Sequence, residues 1–184
     1  MENPLKGLIG SATRVKLIMR LFLNPHSRSY LRELAREFSV STNAVREELN
    51  QLSRTDLLKV EKEGRNVFYR ANTDHALFPE LRSMVQKVMG IDQVVDGVVR
   101  RLGELEKVFL VGDYAEGKDT GIIDLVIVGN INHYHLNDIS RKTEANIKRK
   151  IRSLVLTRKE FAAFRPTLEK SPTCLVFDRQ KDAS

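Results

Sequence analysis

Between residues 42 and 51 the chain places Thr42, Asn43, Arg46, Glu47, Asn50 and Gln51 among apolar positions at helical spacing, so hydrogen-bonding side chains share an outward face. The residue types matter. An Arg can bond guanine O6 and N7 together, and an Asn or Gln can bond adenine N6 and N7. Arg46 is therefore a candidate for guanine and Asn50 or Gln51 for adenine, with Ser41 and Thr42 where a helix N-terminus would meet phosphate. Glu47 and its neighbour Glu48 lower the positive potential of this face, which keeps a protein partner open as an alternative to nucleic acid. Other reactive types are dispersed. Cys174 is the sole cysteine, so it forms no intrachain disulfide and, without a second thiol or clustered His, no structural zinc site. His133 and His135 flank Tyr134 in a predicted loop, with no Cys or carboxylate cluster beside them, and read as solvated rather than metal-binding. Lys148, Arg149, Lys150 and Arg152 form a basic run that reads as a solvated helix end, with a secondary capacity to assist nucleic-acid binding. No Ser-His-Asp or Cys-His arrangement stands out, and no catalytic residue is assigned.

The elements that hold the 42–51 face follow from the flanking periodicity. Residues 11–23 repeat Val15, Ile18, Met19 and Phe22 at helical spacing and stop at Asn24-Pro25. In residues 30–38, Leu31, Leu34, Ala35 and Phe38 share a face opposite Arg32, Glu33, Arg36 and Glu37, which predicts a short amphipathic helix. Ser41 or Thr42 caps a third helix that carries Ala44, Val45, Leu49 and Leu52 inward. Residues 59–70 are two β-prone runs meeting at Gly64-Arg65-Asn66, a hairpin with Arg65 and Asn66 at its tip. Helix, helix, tight turn, helix, hairpin is the order of a winged helix-turn-helix, predicted for residues 1–74. Arg65 would then approach a minor groove or backbone, and Arg28 and Arg32 are candidate phosphate contacts. Residues 31–69 resemble the ArsR-like winged-helix regulators, through Arg32-Glu33-Leu34, Ala35, Phe38, Val40, Ser41, Asn43-Ala44-Val45, Glu48-Leu49 and Leu52. That resemblance implies double-stranded DNA as partner, and paired copies reading a pseudo-palindrome.

Charge agrees without deciding. The chain has a net charge of +7, and residues 1–74 hold 13 Lys and Arg against 9 Asp and Glu while the remainder holds 18 against 15. A basic balance favours polyanionic partners because phosphate neutralisation releases counterions, but the excess is only mildly denser in the first part. Short apolar runs, and an N-terminus without a basic segment followed by an apolar stretch, predict a cytoplasmic protein without membrane association.

From residue 77 onward Leu77, Leu81, Met84, Val88, Ile91, Val95, Val98, Leu102 and Leu105 recur at alternating spacings of four and three. Residues 75–105 are thus predicted to be a helical connector that contributes a dimer seam or only core packing, with a break near Gly90. Behind it the chain alternates strand 108–112, strand 122–128, a helix within 136–150, strand 151–156, helix 158–164 and an apolar run 174–177, with residues 180–184 frayed. This predicts a small α/β domain over residues 106–179.

Within it, residues 111–129 resemble the signature of minimal nucleotidyltransferases of the polymerase-beta type, in which a Gly-Ser loop is followed by two carboxylates on a strand. The resemblance implies that Gly112 and Gly117 keep the phosphate-loop pattern, that Asp113 replaces its serine, and that Asp124 holds the second carboxylate position. Ile122 stands at the first. An apolar side chain there removes a ligand of the two-metal site the family uses, so the resemblance implies a degenerate, non-catalytic domain without metal or cofactor. Gly112, Asp113, Gly117 and Asp124 remain a candidate nucleotide-binding remnant. The alternative is a nucleotidyltransferase or nucleotide binder with a site rearranged around Asp113 and Asp124. The expectation for the whole is an α+β chain that binds specific DNA, as a homodimer, through its first part. Its second part would sense a small-molecule effector or bind a protein partner.

Overall fold

The structure is a computed structural model and describes residues 9–102 and 104–182. The fold is α+β in two compact units, Met1–Val88 and Met89–Ser184, so the boundary falls inside the segment read as a connector.

In the first unit, helix α1 (Ala12–Phe22) starts where the Ser11 hydroxyl accepts the Arg14 N–H at 3.2 Å, one of the donors a helix start leaves free. Strand β1 (Ser29–Tyr30) leads directly into α2 (Leu31–Phe38), and α3 (Thr42–Arg54) follows. Between the two helices Ser39 takes a left-handed φ of 55°, while the Val40 N–H donates to the Ala35 carbonyl at 3.1 Å and closes the turn. The Ser41 hydroxyl caps α3 by accepting the Ala44 N–H at 3.2 Å. Strands β2 (Leu58–Glu63) and β3 (Asn66–Ala71) form the wing. Its two-residue connection opens on Gly64 with φ 58°, a conformation glycine takes without strain. The sheet order is β1-β3-β2, with Ser29 opposite Tyr69 and Tyr30 opposite Phe68. Tyr30 was predicted as helical and is extended instead, because its backbone completes the wing sheet. Valine, leucine and phenylalanine side chains from every helix meet in the core: Leu17, Leu21 and Phe22, then Leu34 and Phe38, then Val45, Leu49 and Leu52. Each such burial contributes about 1.5–3 kcal/mol relative to exposure. This unit is a winged helix-turn-helix.

Helix α4 (Phe78–Met89) ends as expected before Gly90, whose φ is 75°. On α4 Val85 and Met89 are buried, whereas Leu81, Met84 and Val88 are half-buried and Leu77 is 54% exposed. The predicted repeat therefore does not run as one seam. Beyond Gly90 come α5 (Ile91–Gly97) and a single 3-10 turn (Val99–Arg101), and Leu105, the repeat's last member, already belongs to strand β4 (Leu105–Val111).

The second unit is a small α/β domain in which strand β4 pairs antiparallel with β5 (Ile122–Gly129) and with β7 (Thr173–Asp178), while β5 and β6 (Lys150–Leu156) are parallel. The sheet order is β6-β5-β4-β7. In the interior strand β5, Ile123, Leu125, Val126, Ile127 and Val128 are all buried, the apolar run expected of a strand covered on both faces. Helix α6 (Gly112–Ala115) takes Gly112 away from the predicted strand 108–112, helped by its φ of 65°. Helix α7 (His133–Ile147) starts earlier than predicted because the Asn132 side chain accepts the N–H groups of Tyr134 and His135 at 2.9 and 3.2 Å. His133 and His135 thus lie in a helix's first turn rather than a loop, at a spacing whose side chains diverge. Helix α8 (Arg158–Leu168) outlasts the predicted 158–164, nucleated by reciprocal Thr157 and Glu160 capping bonds. The short α9 (Arg179–Asp182) occupies part of the segment expected to fray, because Asp178 accepts the Gln180 N–H at 3.1 Å. Residues 183 and 184 of that segment lie outside the described residues. Cys174 is buried. Among the described residues no helix is long and apolar enough to cross a membrane.

Candidate nucleic-acid interface

Helix α3 is held at both ends of its length by the core, with Val45, Leu49 and Leu52 inward, so its opposite face is free for recognition. Ser41, Thr42, Asn43, Arg46, Glu47, Asn50 and Gln51 are all exposed there. Arg46 donates through Nη1 to Asn43 Oδ1 at 2.8 Å, a bond one turn long that gives the guanidinium a direction along the face. Ser41 is committed to capping, which leaves Thr42 and the free N–H groups of the first turn to meet an anion. Gln51 accepts a hydrogen bond from Arg14 of α1, and the same guanidinium pairs with Glu48 at 2.7 Å. Arg14 was missed by sequence reasoning. It neutralises one of the two carboxylates that lower the potential of α3, and residues 34 to 37 positions apart leave no local signal.

The wing and α2 bound a cleft of about 890 Å³, lined by Tyr30, Arg32, Arg36, Arg65, Asn66 and Tyr69 among others. Arg32 and Arg36 stand one turn apart on α2, and Arg65 and Asn66 face them from the wing tip. Arg28, a predicted phosphate contact, is placed differently. Its guanidinium lies over the Phe68 ring at 4.4 Å and pairs with Glu63 at 2.9 Å, so it braces the wing.

Ion pairing sorts the arginines of this unit. Arg14, Arg20, Arg28 and Arg70 are matched to Glu48, Glu37, Glu63 and Glu61. Arg32, Arg36, Arg46, Arg54 and Arg65 are exposed and, among the described residues, have no carboxylate within ion-pairing distance. Arg46, Asn50 and Arg54 recur every fourth residue along the outward strip of α3. Glu33 and Glu47 remain as acidic neighbours, so the surplus on α2, α3 and the wing tip is positive.

In the second unit, Gly112 and Asp124 line one cleft of about 520 Å³, together with Arg152, Leu154, Phe164 and Leu168. Asp113 is exposed and, like Gly117, does not line it. Gly112 donates its N–H to the Pro172 carbonyl at 3.0 Å, and the Lys118 N–H closes the loop onto the Asp113 carbonyl at the same distance. Tyr114, fully buried, anchors the loop by donating to the Met89 carbonyl at 2.7 Å, and burial pushes its phenol far up. Asp124 sits opposite Arg152 in the parallel register, and Arg152 donates to both its oxygens at 2.6 and 2.7 Å. The partner position Ile122 carries no oxygen. These residues do not fit a divalent metal pair, because one ligand is apolar and the other carboxylate is already saturated by a cation. Among the described residues no group of three or more His, Cys, Asp or Glu stands together to hold a metal. At the loop's far end Asp119 is clamped by Arg149 at 2.6 Å. Burial alone would raise its carboxyl, but the Arg149 bonds and charge hold it below the usual carboxylate range.

No protein-family model and no curated protein matches the chain. Among solved structures it is similar to reduced HlyU from Vibrio cholerae N16961, at 21% identity and a TM-score of 0.37, over 47% of this chain and 83% of that one. It is also similar to a chain of the tri-AMPylated Shewanella oneidensis HEPN toxin in complex with MNT antitoxin. The values are 11% identity and a TM-score of 0.39, over 53% and 76% of the two chains. A third is the adhesin competence repressor AdcR from Streptococcus pyogenes, at 20% identity and 0.37, over 52% and 69%. All three likenesses are distant.

Proposed function

We propose that the chain is a sequence-specific DNA-binding transcriptional regulator that acts as a homodimer, with a non-catalytic second unit that senses or interacts. The observation that carries this reading is the arginine sorting. Among the described residues the unit matches four arginines to carboxylates and leaves five on α2, α3 and the wing tip without one, where a duplex would present phosphates and base edges. Arg46, steered by Asn43, is the base reader, with Asn50 beside it and Arg32, Arg36 and Arg65 on the backbone. Arg46→Ala is expected to lower specific affinity by about 1–3 kcal/mol and relax preference at one base pair, read by fluorescence anisotropy on single-substitution duplexes. Arg36→Gln should instead weaken all duplexes alike and reduce the salt slope by about 0.9. Unchanged binding by the Arg46 variant would remove it from the interface. For the dimer, the half-exposed row Leu81, Met84 and Val88 on α4, with Leu77 beyond it, is the apolar surface we assign to the second copy.

The non-catalytic reading of the second unit is supported by Ile122 and by the Asp124–Arg152 pair. Incubation with labelled nucleotide and magnesium or manganese is expected to give no transfer to protein or small molecule. Transfer that Asp124→Ala abolishes would establish an enzyme instead.

A further inference from the structure

The basic run at residues 148–152 does not form one patch. Arg149 donates to both Asp119 oxygens and, through Nη1, to the Ile147 carbonyl at 2.9 Å. Arg152 is held by Asp124, and Lys150 reaches Glu144 at 3.0 Å. Among the described residues Lys148 has no carboxylate within ion-pairing distance, and neither has Arg141, two turns earlier on α7, though its charge reaches Asp138 and Glu144. Both line a recess of about 420 Å³ with Gly121, Ala145 and Arg149. Arg141 and Ala145 follow at i and i+4 on one strip of α7, Lys148 is the left-handed residue that ends the helix, and all three line the recess, the small alanine between the two cations. Their Cα atoms are about 10 Å apart along the axis, a span two flexible stems can close onto a small anion.

Glu144 on its wall has both oxygens engaged, by the Ile151 N–H at 2.8 Å and by Lys150; these bonds, the Ile151 one foremost, hold its carboxyl below the usual range, so it stays ionised and Lys150 offsets its charge, leaving Arg141 and Lys148 as the unmatched charges of the recess. Lys148 itself keeps a left-handed backbone, φ 55°, where glycine or asparagine would sit with less strain.

We propose that this recess binds, without a metal, a small molecule carrying a diphosphate or two closely spaced phosphates, gripped between Arg141 and Lys148. A duplex needs a continuous cationic strip, and the pairing of Arg149, Lys150 and Arg152 with Asp119, Glu144 and Asp124 removes one. Two unpaired cations about a hollow suit a compact polyanion. The recess shares no lining residue with the Gly112–Asp124 cleft, and the inference stands independently of DNA binding.

The test is calorimetric titration of the full chain, in EDTA, with pyrophosphate and ADP as probes and orthophosphate and sulfate as single-anion comparisons. Pyrophosphate and ADP are expected to bind, the single anions about tenfold more weakly or worse, and Arg141→Gln and Lys148→Gln each to weaken pyrophosphate about tenfold. Lys148→Gly should lose binding equally while raising the melting temperature, since glycine accepts the left-handed backbone. Arg165→Gln, which removes the same charge from an ion pair with Glu169 on α8, should leave binding unchanged. The proposal is overturned if neither probe binds at millimolar concentration or if Arg165→Gln weakens binding as much as Lys148→Gln. Competition by a short duplex at equal phosphate would assign the recess to DNA and overturn it as well.

Discussion

Arg20→Ala is expected to destabilise the winged-helix unit by about 3–5 kcal/mol, a large fraction of the stability of a small domain. Arg20 is 2% exposed, inside α1, and its guanidinium pairs with Glu37 of α2 at 3.3 Å and donates to Ser27 in the connection between them. Removing it takes the guanidinium away from the largely shielded Glu37 carboxylate and opens a cavity where its stem packed. Both effects loosen α2, and with it the turn that aims α3, so DNA binding should fail together with stability. Urea unfolding followed by helix signal gives the magnitude. The double variant Arg20→Met, Glu37→Leu should regain most of the loss, because replacing a buried pair with apolar groups leaves no unpaired charge. If Arg20→Ala alone costs less than about 1 kcal/mol, comparable to an exposed pair, the buried ion pair is not what joins α1 to α2.

Gly129→Ala is expected to cost the second unit about 2–4 kcal/mol. Gly129 ends β5 with φ 156°, and a Cβ there would overlap the Glu104 carbonyl oxygen and lie 3.1 Å from the Leu105 Cα. Both obstacles are backbone, so no side-chain rotation relieves them. The same contact fixes where β5 passes the start of β4, Leu105 opposite Gly129. Amide hydrogen exchange should therefore accelerate along β4 and β5 in the variant. An alanine tolerated with unchanged protection would mean the strands can separate at that end without cost.

These positions differ in how visible they are in the sequence. The helices of the first unit follow from apolar spacing, the start of α3 from Ser41, and the wing turn from Gly64, because each signal is local. Gly90 likewise announces the end of α4. Strand β1 does not, since two residues carry no period and extend only because β3 is there to pair with them. The 77–105 repeat reads through Leu102 into Leu105 because apolar spacing alone cannot mark where helical structure gives way to a strand. Helix α3 was legible as a polar face, but its charge balance was not. Arg14 reaches Glu48, Arg28 reaches Glu63, and Arg152 reaches Asp124, all across long sequence separations that periodicity cannot register. Ile122 told against a metal pair from the motif alone, whereas the cation that occupies Asp124 became apparent only in the parallel register of β5 and β6.

Specific DNA recognition is tested by selection of genomic fragments with the purified protein at low and moderate salt, followed by sequencing of what is retained. Recovery of a few pseudo-palindromic sites that persist at moderate salt is expected, with half-sites about one helical turn, or a multiple of it, apart. Retention that is indiscriminate and disappears with salt, or no retention at all, would contradict it.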